Sequence, residues 1–331
     1  MPPGGICGAL THGGTMDEFA LIRQFFRQGR QGHQGASGGQ GVVLGPGDDG
    51  AILTPTPGCE LVMSLDTLIS GRHFPEDMPA EDIGWRSLAV NLSDLAAMGA
   101  TPRWCLLSLS LPAADAEWLA AFCEGFQALA RQADIALVGG DTVRGPLTIT
   151  VQVTGEVPAG RALRRSGARP GDRLCIAGVP GEAAAGLAAW QAGARTGALT
   201  SRFCRPAPQL ALGQKLRGIA SACIDISDGL AADLGHILEE SGVGAELSLA
   251  QLPCSPALAE WAASQPEDAL ARVQLAGGDD YLLLFTLMPG LNLPRDAVQI
   301  GRIRSEPGLQ VLGADGELLP ALPLGWDHFR T

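Results

Sequence analysis

Aspartates that stand beside glycines, several of them directly after apolar stretches, are the feature that most limits what this chain can fold into. A single Gly-Asp pair is ordinarily a surface turn, but six such motifs together indicate side chains gathered at the ends of strands. The aspartates are Asp48 and Asp49 in GPGDDGA, Asp66 in SLDTL, Asp94 in NLSDLAAMGA, Asp141 in GGDT, Asp225 and Asp228 in DISDGL, and Asp279 and Asp280 in GGDDY. Carboxylates at one end of a sheet repel each other unless cations lie among them. The sequence therefore predicts an acidic cleft that holds metal ions.

The chemistry of these ligands favours Mg²⁺, because all-oxygen ligation suits it better than zinc or copper. None of the five histidines joins cysteines at the spacing of a zinc site. Clustered Mg²⁺ in an acidic cleft indicates phosphate chemistry. The phosphate loop GxxxxGK[ST] is missing, and the one lysine, Lys215, lies in a helix-like segment. The glycine-rich turn at 178–186 is interpreted either as an anion site at a helix N-terminus or as a plain helix start.

Apolar periodicity mixes strands and helices along the whole chain and predicts an α/β or α+β class. A basic, glycine-rich linker at 158–170 divides the predicted elements into two groups. We expect a disordered leader at 1–15, an N-terminal α/β domain at 16–157 and a C-terminal α+β domain at 158–331. The first group comprises strands Glu60–Leu65 (ending at Asp66), Trp104–Leu111, Ile135–Val138 and Leu147–Val157, with helices Ala80–Met98 and Ala114–Ala133; the second comprises strands Arg173–Ala177, Cys223–Ile226 and Tyr281–Leu287, with helices Ala183–Ala192 and Ala231–Ser241.

Composition excludes several classes of function. With 23 basic and 35 acidic residues the net charge is −12, which argues against general nucleic-acid binding and against docking on anionic membrane. No apolar stretch reaches the roughly 20 residues of a membrane span. The eight cysteines form no CxxC pair and several lie in apolar runs, so we expect buried, reduced thiols in a cytoplasmic protein.

Several further side chains have two open interpretations. Arg144, Arg161, Arg164 and Arg165 lie near the metal motifs, where arginine either binds phosphate or is solvated. Trp326, in GWDHF, is either a plug at the edge of a core or a ring that stacks on a cationic ligand. A Ser-His-Asp triad has little support, because GxSxG is absent.

The ordered motifs resemble the thiamine-monophosphate kinase family over about residues 16 to 329. They are GPGDDGA, SLDTLISGRHF, NLSDLAAMGATP, GGDTVRGPL, GRALRRSGARPGD, DISDGLAADLGHI, GGDDY and WDHF. Each is weak alone, but the ordered set is specific. The resemblance implies the fold of the aminoimidazole-ribonucleotide synthetase superfamily, with a homodimer formed through the N-terminal domain. It also implies transfer of the γ-phosphate of ATP to thiamine monophosphate with several Mg²⁺ ions.

The resemblance also implies roles for individual residues. Metal ligands would be Asp49, Ser64, Leu65 (through its carbonyl), Asp66, Asp94, Asp141, Asp225 and Asp228; ATP would contact Gly140, Asp141, Arg165 and Ser227; thiamine monophosphate would contact His73, Asp279 and Trp326. Three positions depart from the family pattern. Leu65 stands where threonine is common, Asp279 where glutamate is common, and Leu282 where a further glutamate is usual, which affects the substrate pocket more than the metal site.

Two alternatives remain open from the sequence. A sister ATP-dependent synthetase is one, although a selenophosphate synthetase would need a reactive cysteine with a lysine in the N-terminal glycine-rich loop, and Cys7 has none beside it. A purine-pathway synthetase would bind ATP in the same way but act on another acceptor. The second alternative is a non-catalytic nucleotide- or metal-binding module. Loss of several of the aspartates would have indicated such a module, but all of them are present.

Overall fold

The computed structural model describes residues 41–313 and 315–319. The predicted leader at 1–15 and the candidate substrate residue Trp326 lie outside the described residues. Within the described chain, twelve strands and eight helices of seven residues or more confirm the mixed α/β class. The strands are β1 (Val42–Leu44), β2 (Ile52–Leu53), β3 (Cys59–Ile69), β4 (Thr101–Leu111), β5 (Ala136–Arg144), β6 (Thr148–Pro158), β7 (Arg173–Ala177), β8 (Ala220–Asp225), β9 (Gly244–Ser248), β10 (Leu283–Leu287), β11 (Ala297–Arg304) and β12 (Gly308–Leu312). The helices are α1 (Ala80–Ala97), α2 (Ala116–Ala133), α3 (Glu182–Gln191), α4 (Ala198–Cys204), α5 (Leu210–Leu216), α6 (Leu230–Ser241), α7 (Pro256–Ala263) and α8 (Ala269–Ala276).

The first half forms a four-stranded sheet in the order β3-β6-β4-β5. Strand β6 pairs antiparallel with β3 and with β4, whereas β5 pairs parallel with β4. Helix α1 packs on β3 and β6, and α2 packs against α1. Period-two alternation sends Val151, Val153 and Leu107 to this covered face, where they join the core with Phe122 of α2. The opposite face of the sheet carries no described helix.

Local signals explain where these two helices begin and end. The Asp115 side chain caps α2 by accepting the backbone N–H groups of Glu117 and Trp118. Helix α1 ends before Gly99, which has a φ of 67° and makes the left-handed turn that leads into β4.

The second half forms a six-stranded sheet in the order β12-β9-β11-β7-β10-β8, antiparallel except for the pair β12–β9. Its two faces bury different helices. Helix α6 supplies Leu234 to one face, against Ile176 and Leu284. The end of α1 and helix α5 lie on the other face, where Ala97 and Leu216 join a core with strands β7, β8 and β10. Helix α1 therefore contacts both sheets, and its polar side chains lie between them.

The structure corrects several predicted boundaries. Strand β3 continues three residues beyond Asp66, and β5 continues through Asp141, so neither aspartate follows the end of its strand. Asp94 lies on α1 and not at a strand end. Helices α4, α5, α7 and α8 and strands β1, β2, β9, β11 and β12 were absent from the prediction.

The predicted thiols are confirmed in most positions that the structure describes. Cys105, Cys123, Cys175, Cys204 and Cys223 are buried and free, whereas Cys59 is partly exposed and Cys254 is exposed. No helix of the described residues is both long and apolar enough to cross a membrane.

The crossing of α1 and α2 depends on two glycines, and this gives a first prediction. A Cβ on Gly84 would lie 2.0 Å from the carbonyl oxygen of Phe122, and one on Gly125 would lie 1.8 Å from that of Glu81. Gly84→Ala should therefore lower the free energy of unfolding by roughly 2 kcal/mol, because the helix backbones must move apart. Chemical denaturation measures the change.

Gly235, in the middle of α6, is the matched control, because a Cβ there would meet nothing within 4 Å. Gly235→Ala should raise the free energy of unfolding by about 0.5–1 kcal/mol through helix propensity alone. Equal effects of the two substitutions would show that the close approach of α1 and α2 is unimportant for stability.

Candidate active site

Helix α1 is hydrogen-bonded to strand β3 through polar side chains of both elements. Ser64 and Asp66 are two residues apart on β3, so both face the helix. The Ser64 hydroxyl donates to Asp94 Oδ2 at 2.5 Å, and the backbone N–H of Asp66 donates to Asn91 Oδ1 at 2.9 Å. These bonds fix the carboxylates of Asp66 and Asp94 at the same end of the interface.

The same helix is hydrogen-bonded to the second sheet. The Ser93 hydroxyl donates to Asp225 Oδ2 at 2.6 Å, and both side chains are buried. Asp225 is the last residue of β8. Three elements, β3, α1 and β8, thus bring together Asp66, Asp94 and Asp225, as the sequence predicted for these three residues.

The loop after β8 is shaped by a buried carboxylate within α6. Asp233 Oδ2 accepts the backbone N–H groups of Ser227, Asp228 and Gly229 at 3.0, 3.1 and 3.2 Å. Three consecutive N–H groups that point at one oxygen are the geometry of an anion-binding nest. In this protein the nest is filled by its own aspartate. Asp233 therefore sets the direction of the Ser227–Asp228 segment.

Burial and mutual repulsion define the electrostatics of this carboxylate cluster. Burial, with the negative charges of Asp94 and Asp228, raises the pKa of Asp66 to about 6. Burial, with the charge of Asp94 next, raises the pKa of Asp225 to about 7. Burial and the charge of Asp228 likewise raise the pKa of Asp233 to about 7. Asp66, Asp94, Asp225 and Asp228 are therefore near neighbours, and we call them the carboxylate cluster.

Arg165 lies beside this cluster on the linker between the two sheets. Burial raises the pKa of Asp94, whereas the Ser64 hydroxyl and the positive charge of Arg165 oppose that rise. Arg165 is itself exposed. The predicted nucleotide residues Arg165 and Ser227 thus both lie next to the carboxylate cluster.

The GGDDY loop before β10 lies against the loop after β8. The backbone N–H groups of Asp279 and Tyr281 donate to the carbonyl oxygens of Ser227 and Ile226, both at 2.8 Å. Asp279 has a φ of 68° and Tyr281 has a φ of 51°, a left-handed conformation that non-glycine residues seldom adopt. Such conformations persist where the surrounding structure enforces them, often at functional sites.

The second aspartate of this loop, Asp280, is hydrogen-bonded to the glycine-rich turn at 178–186. The Asp280 carboxylate accepts the backbone N–H groups of Gly181 and Ala183 at 2.6 and 3.0 Å. Burial outweighs these hydrogen bonds and raises the pKa of Asp280 to about 7. The N-terminus of α3 thus holds an internal carboxylate, so the N–H groups of Gly181 and Ala183 are already bound within the protein.

A pocket of about 340 Å³ opens beside the cluster, between the loop after β3 and helix α3. His73 and Asp279, both predicted to contact substrate, line it. Aromatic walls are formed by Phe74, Trp190 and Phe203. The wall of the pocket is therefore mixed: these aromatic side chains share it with the charged residues Arg72, Asp77, Arg195 and Asp279.

Two predicted ligands lie apart from the cluster within one chain. Asp49 is on the exposed loop between β1 and β2. Asp141 is exposed on β5, at the opposite edge of the sheet from β3, about 14 Å away at the usual strand spacing. Asp141 pairs with Ser108, whose neighbours Leu107 and Leu109 are buried, so Asp141 faces away from α1. Leu65 also has its side chain on that outer face, 58% exposed, next to Gln152 of β6.

No closed metal site exists in the described part of the chain. Among residues 41–313 and 315–319, no three His, Cys, Asp or Glu side chains are grouped closely enough to hold one ion. The cluster supplies carboxylates in neighbouring positions rather than a complete coordination shell.

Several residues that shape the site were missed by the motif analysis: Arg86, Asn91, Ser93, Asp233 and the structural role of Asp280. Helix α1 buries thirteen of its eighteen residues, and Arg86, Asn91 and Ser93 are among them. Polar residues in such an apolar helix were the signal that could have identified these positions. A buried polar residue needs a partner, which periodicity alone does not identify.

Comparison with known proteins agrees with this geometry. Residues 47–157 match the family model described as AIR synthase related protein, N-terminal domain. A crystal structure of thiamine-monophosphate kinase from Stenotrophomonas maltophilia K279a is 44% identical, with a TM-score of 0.79, over 92% of this chain and 98% of that chain. A second structure, AaThiL complexed with AMPPCP and TMP, is 30% identical, with a TM-score of 0.76, over 94% of this chain and 97% of that chain.

The fold is that of an AIR-synthase-related protein. Thiamine-monophosphate kinase of Salmonella typhimurium LT2 is 46% identical over 95% of this chain and 98% of its own length. The chain belongs to the thiamine-monophosphate kinase family, as the ordered motifs predicted, and it is an enzyme of the kinase class.

The raised pKa values of the buried carboxyls predict how stability depends on pH in the metal-free protein. Asp225 and Asp233 keep their protons up to about pH 7 when folded, whereas an unfolded aspartate releases its proton near about 4. Between these values the folded state binds more protons, so raising the pH lowers the free energy of unfolding. For these two groups we expect a loss on the order of 5 kcal/mol between about pH 5 and pH 8 in EDTA.

Asp225→Asn is the control for this pH dependence of the free energy of unfolding. It removes one of the titrating groups but keeps an oxygen that accepts the hydrogen bond from Ser93. Urea denaturation at several pH values should show a shallower dependence in this variant. A stability that rises over the same pH range would contradict the assignment.

Proposed function

We propose that this enzyme transfers the γ-phosphate of ATP to thiamine monophosphate by direct in-line attack, assisted by Mg²⁺. The observation that supports this most strongly is the carboxylate cluster held by α1 between the two sheets. The family relatives carry the same named activity, and AaThiL was captured with AMPPCP and TMP. These relatives favour the kinase over the sister synthetases and over a non-catalytic module.

The residues present fit Mg²⁺. Donors at the cluster are carboxylate and hydroxyl oxygens, which Mg²⁺ prefers. The pKa values of Asp66 and Asp225 are raised partly by neighbouring carboxylates, and bound cations would remove that repulsion. Since no three of these side chains are grouped closely, the phosphate oxygens of ATP would complete each coordination shell. We assign Asp66, Asp94, Asp225 and Asp228, with the Ser64 hydroxyl, as ligands on this chain.

The reaction needs positioning and charge compensation more than a general base. A phosphate monoester is already largely dianionic at neutral pH, since its second pKa is about 6. Mg²⁺, when bound, neutralises negative charge on the transferred phosphoryl group. Arg165 and Ser227 lie beside the cluster, where they would hold the nucleotide phosphates. The acceptor enters from the pocket lined by His73, so its phosphate meets the cluster and its ring stays among the aromatic walls.

The pocket suits a cationic aromatic ring. Trp190 and Phe203 line the pocket, each with an arginine over its ring (Arg195 at 4.4 Å and Arg86 at 4.8 Å). A thiazolium ring would contact the remaining surface of these side chains, and Asp279 offers an acceptor oxygen. Trp326 remains a proposed third aromatic contact from outside the described residues.

We further propose that the enzyme is a homodimer formed through the N-terminal sheet. The face opposite α1 exposes six large apolar side chains, between 40% and 65% each, which we call the outer face: Leu61, Met63, Leu65, Ile69, Leu106 and Val143. Among the residues that the structure describes, no further strand pairs with the two edges of the sheet, at β3 and β5. A second copy of the chain would cover this apolar surface and protect those edges.

Asp141 and Gly140 belong to the same proposal. Asp141 projects from the outer face, so in the dimer it would face the second copy rather than its own carboxylate cluster. We therefore place the nucleotide and metal roles of Gly140 and Asp141 near the subunit interface. Asp49 is proposed as a ligand supplied by its exposed loop, and Leu65 as a ligand through its carbonyl oxygen. We also propose that the chain has two domains divided at 158–170 and that the enzyme is cytoplasmic.

The first test of this function is a direct assay with substitutions in the cluster. Asp66→Asn and Asp94→Asn should each reduce kcat for thiamine monophosphate by more than ~100-fold, because each removes a charge that stabilises the transferred phosphoryl group. Asparagine keeps an acceptor oxygen for Ser64, so the fold should remain. Product thiamine diphosphate is measured with ATP and Mg²⁺.

Asp296→Asn, on an exposed loop before β11, is the matched control and should leave kcat unchanged. Near-normal rates in both cluster variants would show that the cluster is structural. Turnover of another acceptor, with none of thiamine monophosphate, would defeat the proposed substrate.

A separate test addresses the dimer. Met63 is 65% exposed on the outer face, and Met288, beyond the end of β10 in the second half, is 48% exposed. Met63→Arg should convert a dimer to monomers, because it would bury two charges in the interface without partners. Met288→Arg should leave the mass unchanged. Light scattering after size exclusion measures both, and a dimeric Met63→Arg variant would place the interface elsewhere.

A further inference from the structure

Arg86 is the most deeply buried charge in the described part of the chain, and none of the roles above uses it. Its side chain is 1% exposed, on α1. One terminal nitrogen donates to Asp279 Oδ1 at 2.5 Å, and the other donates to the carbonyl oxygen of Phe203 at 2.5 Å. The guanidinium lies 4.8 Å from the centre of the Phe203 ring and 5.8 Å from that of Tyr281.

The pairing is unusual for a group that serves stability alone. A buried ion pair gains little over an apolar pair of similar volume, because both charges lose their hydration. The Nε–H of Arg86 is also buried without an acceptor in residues 41–313 and 315–319. An apolar residue would avoid that cost. The retained arginine therefore points to a requirement at its partner, Asp279.

The two hydrogen bonds to Asp279 leave one of its oxygens available. Arg86 and the Tyr281 hydroxyl, at 3.1 Å, both donate to Oδ1. No described residue donates to Oδ2. The Asp279 side chain is 32% exposed, on the wall of the pocket that also contains His73. One oxygen is thus held by two donors of the protein, and the other is left without a donor among the described residues.

We propose that Arg86 is a positioning residue for the phosphate acceptor, which acts by orienting the Asp279 carboxylate and compensating its charge. The proposal rests on the proposed function, since the acceptor is thiamine monophosphate. That acceptor carries a cationic ring and an anionic phosphate. An uncompensated carboxylate would attract the ring but repel the phosphate. With Arg86 beside it, Asp279 offers a directed acceptor oxygen and little net charge.

Substitution of Arg86 separates this role from a structural one. Arg86→Met removes the charge at similar length, and we expect Kd and KM for thiamine monophosphate to rise about tenfold or more. Kd and KM for ATP should change less than about twofold, because the nucleotide residues lie at the carboxylate cluster. Arg86→Lys keeps the charge and should recover part of the loss. Calorimetric titration gives Kd, and initial rates give KM.

Arg103 supplies the matched control, because its Nε donates to the buried carboxylate of Glu156 at 2.8 Å, on a different surface of the first sheet. Arg103→Met should lower the melting temperature and leave both Kd values unchanged. If Arg86→Met does not fold, Tyr281→Phe removes only the second donor to Asp279 and should raise Kd for thiamine monophosphate about threefold or more.

The outcomes distinguish this inference from the proposed function. A wild-type enzyme that neither binds nor phosphorylates thiamine monophosphate defeats the proposed function. A wild-type enzyme that binds it, with Arg86→Lys, Arg86→Met and Tyr281→Phe variants of equal affinity, defeats only the role of Arg86. An equal rise of Kd for both substrates, or a lowered melting temperature with unchanged Kd, would also show that Arg86 is structural.

Discussion

The hydrogen bond between Ser93 and Asp225 joins helix α1 to the second sheet at the point where the carboxylates of both halves meet. This hydrogen bond is buried and connects residues 132 positions apart in the chain. Its acceptor is a carboxylate, whose burial costs hydration energy. The donor is carried by α1, which also packs on β3 and β6. Because one rigid helix contacts both sheets, the carboxylates of β3, α1 and β8 keep fixed positions relative to each other. A site that must align two phosphates needs this kind of rigidity.

The protein satisfies some of its carboxylates internally and leaves others without internal counter-charges. Asp233 and Asp280 each accept two or three backbone N–H groups, so they shape loops and helix ends. Asp66 and Asp228 receive no such set from the described residues. That division separates aspartates that serve the fold from those that remain available to cations. It also explains why nine aspartates beside glycines do not form a single homogeneous cluster.

Sequence reasoning was most successful for the mixed α/β class and for the grouping of Asp66, Asp94 and Asp225, which followed from residue type and order. The cause of the grouping was wrong in part, because a helix and the middle of a strand supply Asp94 and Asp66 rather than strand ends. The partners of Arg86 and Ser93 are more than a hundred residues away in the chain. Periodicity describes one element at a time, so it could not identify those pairs.

The pocket and the carboxylate cluster are parts of one backbone unit. Gly278 lies so close to Ser227 that a Cβ would be 2.3 Å from its carbonyl oxygen, and Asp279 donates its N–H to that same oxygen. The GGDDY loop therefore cannot move without the loop that carries Asp228. Asp279, one methylene shorter than the usual glutamate, must then reach the pocket by side-chain orientation alone. Since the backbone is fixed, the donors on Oδ1 set that orientation, and a shorter carboxylate places a stricter demand on the arginine behind it.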